Sequence, residues 1–326
     1  MKKITFLFIS AFIISTGLNA KKKYMITTSG ETLRALTQIT DSKYVCITPF
    51  GGDYGKDLYY AVNEGGKYYN IFKKENVGAS AIQQKTAGKN FNYSPFYCEE
   101  IDRVAFRCMN EGMSQSDIYM FSNNKGKALT QITETNQANE GNPCFSPDGN
   151  MLVYDRQSYV TFKKLSGLSF LLGLDDVIII EKSEIWVKNL QNGENTLLGN
   201  GYQPQYSPDG TKIAFVRYSS DAKSCNIWVM DADGSNLVQI TDAKKGYAFY
   251  PRWSPKGDKL VFQLTKKDKK DADIYAIDID GNNLTQLTVN KSHDGSPYWT
   301  KDDNIYFVSD RGNEPGKYQI WKFHVE

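Results

Sequence analysis

Three ten-residue stretches of the chain repeat one design: "FSPDGNMLVY" at 145–154, "YSPDGTKIAF" at 206–215 and "WSPKGDKLVF" at 253–262. In each, an aromatic residue closes an apolar segment, a Ser-Pro and a glycine reverse the chain, and a second apolar segment departs. Gly accepts left-handed backbone angles at little cost and Pro presets the entry to a turn, so each stretch reads as a β-hairpin. A hairpin that recurs at a near-constant interval constrains the fold more than composition does, because one unit cannot bury its apolar faces alone and an array can.

With the turn proline as the mark, units are anchored at Pro49, Pro95, Pro147, Pro208 and Pro255, with Lys301 in the matching place of "YWTKDDNIYF". The spacings are 46, 52, 61, 47 and 46 residues, near the period of four-stranded propeller blades. The first strand of each unit is then expected to end at Ile47, Tyr93, Phe145, Tyr206, Trp253 and Trp299 in turn. The second strand runs apolar, as in "KIAFVR" and "NIYFVS"; the third carries a branched or aromatic centre, as in "EIWVK", "NIWVM" and "DIYAI"; the fourth is rich in Thr, Ile and Leu, as in "ALTQIT" at Ala128 and "LTQLT" at Leu284. This predicts an all-β chain, a six-bladed β-propeller.

The sixth unit stops after its third strand, yet "ALTQIT" also stands at Ala35–Thr40, ahead of the first unit. The N-terminal strand is expected to complete the last blade, which closes the ring and removes the open edges of a linear array. The expected organisation is a signal peptide at 1–20, an arm or extra strand at 21–34 and the propeller at 35–326.

The leader reading rests on Lys2 and Lys3, an apolar run from Ile4 to Ile14 and a small-residue end at Ala20, too short a run to span a bilayer. It predicts a periplasmic or secreted protein with no membrane span in the mature chain. Without those two lysines, 37 basic residues face 37 acidic ones, so nucleic acid is not an expected partner. A chain of this length can bury a core without staples, and its five cysteines are expected to be buried free thiols.

The stretches "SPDGTKIAFVR", "NIWVMDADGSNLVQIT" and "SPYWTKDDNIYFVSDRG" resemble the repeats of TolB-type six-bladed propellers, a WD-like repeat of bacterial periplasmic proteins that also occurs in prolyl-oligopeptidase-type enzymes. The resemblance covers residues 35 to 326 and is strongest from Asn142 onward. It implies the architecture; a function does not follow from the fold. TolB itself carries an α/β domain ahead of its propeller, for which residues 21–34 leave no room, so a Tol-Pal role is not expected. The peptidase relatives use a serine on a sharp elbow, and this chain has no G-x-S-x-G; "GLSFL" at Gly167 lacks the second Gly. No catalytic residue is therefore assigned.

Two histidines, His293 and His324, are too few for the clustered ligands that propeller lyases acting on pectin fragments use, and no metal or cofactor is expected. "DADGSN" at Asp231 and "DIDGNN" at Asp278 resemble the start of a calcium loop, but Gly falls fourth and not sixth, so both read as tight turns. Inner strands of several blades converge on the axial channel, where Asn142, Tyr202, Tyr250, Arg252, His293 and Tyr298 are candidate ligand-binding residues; ordinary inner-strand packing is the competing reading. The third unit carries an apolar insertion, "SYVTFKKLSGLSFLLGLDDVIII", expected to fold back on the ring, to lengthen the blade as a hairpin, or to be covered by a partner. Phe162, Leu168, Phe170 and Leu171 are the candidate contacts there. The function expected from all this is a monomeric, rigid, non-enzymatic platform for an envelope protein or peptide. The alternative is a carbohydrate- or small-ligand-binding protein, or an enzyme, that uses the axial channel.

Overall fold

A computed structural model of the chain describes residues 36–41, 44–51, 56–65, 68–75, 81–111, 115–124, 128–136, 138–162, 177–219, 224–242, 246–266, 271–289, 291–313 and 316–325. The expected leader and arm lie outside the described residues. All the regular structure among the described residues is strand, in six antiparallel four-stranded blades. Blade 1 holds β2 (Val45–Gly51), β3 (Asp57–Asn63), β4 (Asn70–Glu75) and β5 (Ile82–Gln84). Blade 2 holds β6 (Asn90–Cys98), β7 (Arg103–Asn110), β8 (Asp117–Ser122) and β9 (Thr130–Gln131). Blade 3 holds β10 (Ala138–Phe145), β11 (Met151–Phe162), β12 (Val177–Asn189) and β13 (Asn195–Asn200). Blade 4 holds β14 (Tyr202–Tyr206), β15 (Lys212–Tyr218), β16 (Cys225–Asp231) and β17 (Val238–Gln239). Blade 5 holds β18 (Tyr247–Trp253), β19 (Lys259–Thr265), β20 (Ala272–Asp278) and β21 (Thr285–Gln286). Blade 6 holds β22 (Asp294–Trp299), β23 (Asn304–Ser309) and β24 (Gln319–His324), and its outer strand is β1 (Thr37–Gln38) from the other end of the chain.

The expected closure is present. Thr37 pairs with Lys322 and Gln38 with Trp321, antiparallel. The chemistry of that edge repeats the other blades. In five blades a Thr hydroxyl just beyond the outer strand accepts the amide of an Ile in the third: Thr86 from Ile71, Thr133 from Ile118, Thr241 from Ile227, Thr288 from Ile274, and Thr40 from Ile320, at 2.8–2.9 Å. The "Q-x-T" pattern adds a second clasp, with the amide of Gln38, Gln239 and Gln286 donating to the carbonyl of the Thr two residues on. Each clasp satisfies a main-chain group that the short outer strand would leave open.

Apolar residues fill every gap between blades. One cluster joins blades 6, 1 and 2 through Leu58, Ile71, Phe106, Val308 and Ile320; others join blades 2 and 3 (Ala105, Phe145, Tyr154), 3 and 4 (Val153, Phe215), 4 and 5 (Ile227, Phe262), and 5 and 6 (Ile274, Phe307). The ring thus closes by side-chain packing and the β1–β24 pairing, while each blade stays a separate sheet, apart from parallel bridges of Cys225 to Tyr247 and of Tyr69 to Phe91. Burying each large apolar side chain contributes about 1.5–3 kcal/mol, so the interfaces hold the blades. All five cysteines are buried and free.

The innermost strands correct the expected unit boundaries. Each carries a bulge at an X-Pro pair: Thr48-Pro49, Ser94-Pro95, Asn142-Pro143, Gln203-Pro204, Tyr250-Pro251 and Ser296-Pro297. The six residues before proline all have left-handed φ, between 47° and 55°. A bulge leaves its extra residue unpaired, so proline sits there without costing a ladder bond. Pro49 and Pro95 therefore match Pro143, Pro204, Pro251 and Pro297, not the turn prolines Pro147, Pro208 and Pro255. Ile47 and Tyr93 are not the ends of their strands; β2 runs on to Gly51 and β6 to Cys98. The number of units is unaffected.

"DADGSN" and "DIDGNN" are tight turns, in which Gly234 and Gly281 donate to the carbonyls of Asp231 and Asp278 at 2.9 Å. The insertion of the third unit lengthens its blade: β11 and β12 pair as far as Phe162 with Val177. Leu168, Phe170 and Leu171 lie outside the described residues, as does the side chain of Phe162.

Candidate axial site

The inner strands enter at one end of the ring and leave at the other. At the entry end, Val45 opposes Asn63, Asn90 opposes Asn110, Tyr247 opposes Thr265 and Asp294 opposes Ser309, so the second-to-third-strand loops share that face with the blade-to-blade connections. The Ser-Pro turns lie on the opposite face.

Half-way down the axis, the left-handed residues form a polar collar. The amide N–H of Ser94 donates to Thr48 Oγ1 at 3.3 Å, Ser94 Oγ to Asn142 Oδ1 at 3.3 Å, and the N–H of Tyr250 to Gln203 Oε1 at 2.7 Å. Asp155, from β11, links two blades: its Oδ2 accepts from Asn142 Nδ2 and from the Gln203 N–H, both at 2.7 Å. All of these bonds join one blade to its neighbour except that of Asn142 to Asp155, which lies within blade 3. The left-handed conformation costs about 1–3 kcal/mol per residue, and it persists because the bulge aims main-chain N–H groups around the ring where a neighbour's side chain meets them. Thr48, Ser94, Asn142, Tyr250 and Ser296 are only half-buried although they sit on the innermost strands, so solvent reaches the axis at this level.

One step further, the residues after the prolines form a second collar: Phe50, Phe96, Cys144, Gln205, Arg252 and Tyr298. It is divided. Phe50 lies 4.2 Å, ring centre to ring centre, from both Phe96 and Tyr298, so blades 6, 1 and 2 contribute an aromatic wall in which Phe50 is buried between the half-buried Phe96 and Tyr298. Blades 3, 4 and 5 present Cys144, Gln205 and the half-buried Arg252. Arg252 donates one hydrogen bond, to the carbonyl of Pro251 at 3.1 Å, and its buried Nε has no partner. Burial lowers its pKa, and Cys144, Tyr298 and Tyr250 are the groups its charge feels in return.

Arg107, from β7, also reaches the axis, with Nε donating to Ser116 Oγ at 2.8 Å. Asp155 is 2% exposed, and burial outweighs its hydrogen bonds and the Arg107 charge, pushing its carboxyl up to about 6. The cluster therefore holds two guanidinium groups and one buried carboxylate whose pKa burial has raised.

The candidate residues separate into levels. Asn142 and Tyr250 belong to the first collar, Arg252 and Tyr298 to the second. Tyr202 precedes its bulge residue and stacks on Tyr218 at 5.2 Å, within a packed cluster with Val216 and Cys225. His293 lies near the entry face, edge-on to Tyr318, with its amide donating to Asp310 Oδ1 at 2.9 Å; burial lowers its pKa. It does not share a collar with Arg252. Arg107, Asp155 and the bulge residues Thr48, Ser94, Gln203 and Ser296 were not among the candidates. Alignment on the inner-strand prolines identifies the last four; nothing in the local pattern marks the first two. Among the described residues, no group of three or more His, Cys, Asp or Glu is placed to hold a metal ion.

The family model of the TolB beta propeller domain matches residues 202–326, which are blades 4 to 6. The chain is a β-propeller whose last three blades are similar to the TolB beta propeller domain. No curated protein sequence matches it. The TolB-like architecture extends to solved structures. A protein assigned as TolB from Agrobacterium tumefaciens is 19% identical with a TM-score of 0.59, over 89% of this chain and 97% of that one. TolB from Acinetobacter baumannii is 16% identical with a TM-score of 0.57, over 84% of this chain and 65% of that one. An oligogalacturonate lyase in complex with manganese is 16% identical with a TM-score of 0.57, over 92% of this chain and 96% of that one. At such identities the likeness is one of fold, and the fold is shared by enzymes and non-enzymes.

Proposed function

We propose that the chain is an exported, non-enzymatic propeller of the cell envelope that captures a protein or peptide on its entry face. The observation that carries this is a rim of half-buried aromatic side chains around the channel mouth: Tyr44 and Tyr68 of blade 1, Phe91 of blade 2, Tyr247 and Phe249 of blade 5, and Tyr318 of blade 6. Tyr68 is held against Phe91 and donates its hydroxyl to Glu111 across the blade boundary. Tyrosines that are already packed on one edge lose little rotamer freedom on binding and supply large contact area, which is why they dominate protein interfaces. The collar bonds hold the blades at fixed spacing, so the rim is presented without reorganisation. The leader predicted at 1–20 supports export.

The test is envelope capture followed by cross-linking. The wild-type chain is expected to cross-link a partner through entry-face residues, and the double variant Tyr68→Ala, Tyr247→Ala to retain at most about a tenth of that affinity. Cross-links confined to the Ser-Pro-turn face, or a glycan array that binds the chain while no protein is captured, would overturn the proposal. Deleting residues 2–20 is expected to leave the protein in the cytoplasm.

A further inference from the structure

We propose that the axial channel holds the carboxylate of an apolar acid on Arg252, with the aromatic wall of Tyr298, Phe50 and Phe96 taking the acid's apolar body. The argument is a charge count along the axis. Glu140, at the top of blade 3, is matched by Arg156 at 2.8 Å, and Asp294 of blade 6 by Arg311 at 2.5 Å. Asp155, among the described residues, is a further buried carboxylate beside the inner strands, and its Oδ2 is taken by Asn142 and Gln203. Asp155 feels the charge of Arg107, whereas the groups that act on Arg252 are Cys144, Tyr298 and Tyr250.

Arg252 is thus a guanidinium inside the ring with one main-chain bond and an unmatched, buried Nε. A guanidinium whose Nε is cut off from water and unmatched is costly, whereas a planar guanidinium takes a carboxylate through two parallel bonds. Its neighbours around the collar decide what carries that carboxylate. On one side stands Tyr298, packed on Phe50 and through it on Phe96. On the other are Gln205 and the buried thiol of Cys144. A site with one cation and an aromatic wall fits an acid with an apolar body better than a polyanion. The source is a free small acid or the C-terminus of a peptide; both offer the same group. The proposal does not rest on partner capture at the rim, since Arg252 and the rim tyrosines are separate residues.

The experiment uses 3-phenylpropionate and its neutral isostere 3-phenylpropanamide, titrated into the full chain by calorimetry with thermal melting alongside. The acid is expected to bind and to raise the melting temperature, and the amide to do neither. Arg252→Gln is expected to weaken the acid at least about tenfold, and Lys256→Gln, an exposed turn cation, to leave it unchanged. Equal binding of acid and amide, equal binding by wild type and Arg252→Gln, or no binding of the acid at about 10 mM would each overturn the proposal. The wild-type melt decides the matter if Arg252→Gln fails to fold. A tetrapeptide ending in Phe, compared with its amidated form, separates the two sources: tighter binding of the free-ended peptide than of 3-phenylpropionate points to a peptide end, and the reverse order to a small acid. Loss of rim-dependent capture with intact acid binding would remove the proposed function and leave this site standing.

Discussion

Blades 6 and 3 solve the same edge problem in opposite ways. Blade 6 takes its outer strand from the far end of the chain, yet its edge chemistry matches that of its neighbours: Thr40 accepts the Ile320 amide as Thr288 accepts that of Ile274. Blade 3 grows its outer strand from its own sequence, yet lacks the Thr clasp. There, Ser183 Oγ donates to the Gly201 carbonyl and the Gly201 N–H returns to the Ser183 carbonyl, both at 2.9 Å. Gly199 and Gly201, with φ of 153° and 155°, carry the chain round that edge. A residue with a Cβ would not fit at 201, where it would lie 2.5 Å from Phe215. A blade's edge is therefore defined by which main-chain groups are satisfied, and continuity of the chain is secondary.

Removing residues 1–40 strips blade 6 of β1 and uncovers Trp321 and Phe323, both buried in the intact ring. It is expected to cost at least about 3 kcal/mol in denaturant unfolding and to promote association through the bared β24 edge. A shift below about 1 kcal/mol would show that the closing strand is dispensable.

Next in size are the clasps. Thr40→Val and Thr288→Val each leave a buried Ile amide unmatched and are expected to cost about 1–3 kcal/mol, by similar amounts in the two blades. Ser183→Ala removes only the second of two bonds and is expected to cost about 0.5–1 kcal/mol. Equal costs for all three substitutions would erase the contrast between blades 6 and 3.

The smallest effect is one of pH. Asp155, which ties blade 3 to blade 4 through Gln203, has a folded pKa of about 6, above its ordinary value of 3.8. Between those values the unfolded chain gives up this proton and the folded chain keeps it, so the group's contribution to stability falls as pH rises from about 4 to about 6 and is level beyond. His293, with its folded pKa lowered, contributes the opposite slope below about 6.5. Asp155→Asn should therefore flatten the decline relative to wild type in chemical unfolding at pH 4, 5 and 6, where the His293 slope cancels in the difference. Parallel curves for the two proteins would show that Asp155 is ionised throughout.

The number of blades and the identity of the closing strand were legible because they depend on short patterns read along the chain. "ALTQIT" occurs twice, once where a blade lacks its edge and once where a blade has it. The collars were harder to read. Blades 3 to 5 each carry two prolines four residues apart, one at the bulge and one at the turn, while Pro49 and Pro95 of blades 1 and 2 are bulge prolines only. Matching them to the turn prolines shifted those units by four residues and concealed the sixfold X-Pro pattern. Asn142, Tyr250, Arg252 and Tyr298 were found because they lie on inner strands. Arg107 and Asp155 come from second strands, where a charge at the end of an apolar run looks like a solvent-facing residue; their contacts with the inner strands and with the next blade are not written in the local pattern.

The account depends most on the two ends of the chain sharing a sheet. Thr37 and Lys322 are direct partners across β1 and β24, a relation that places Cα atoms about 4.5–5.5 Å apart, within reach of a disulfide. The double variant Thr37→Cys, Lys322→Cys, oxidised at low protein concentration and mapped by mass spectrometry, should yield an intramolecular 37–322 disulfide that melts higher than its reduced form, with the five native thiols still free. Cross-links formed only between molecules, or a pair that stays reduced in the folded protein, would contradict the closed ring.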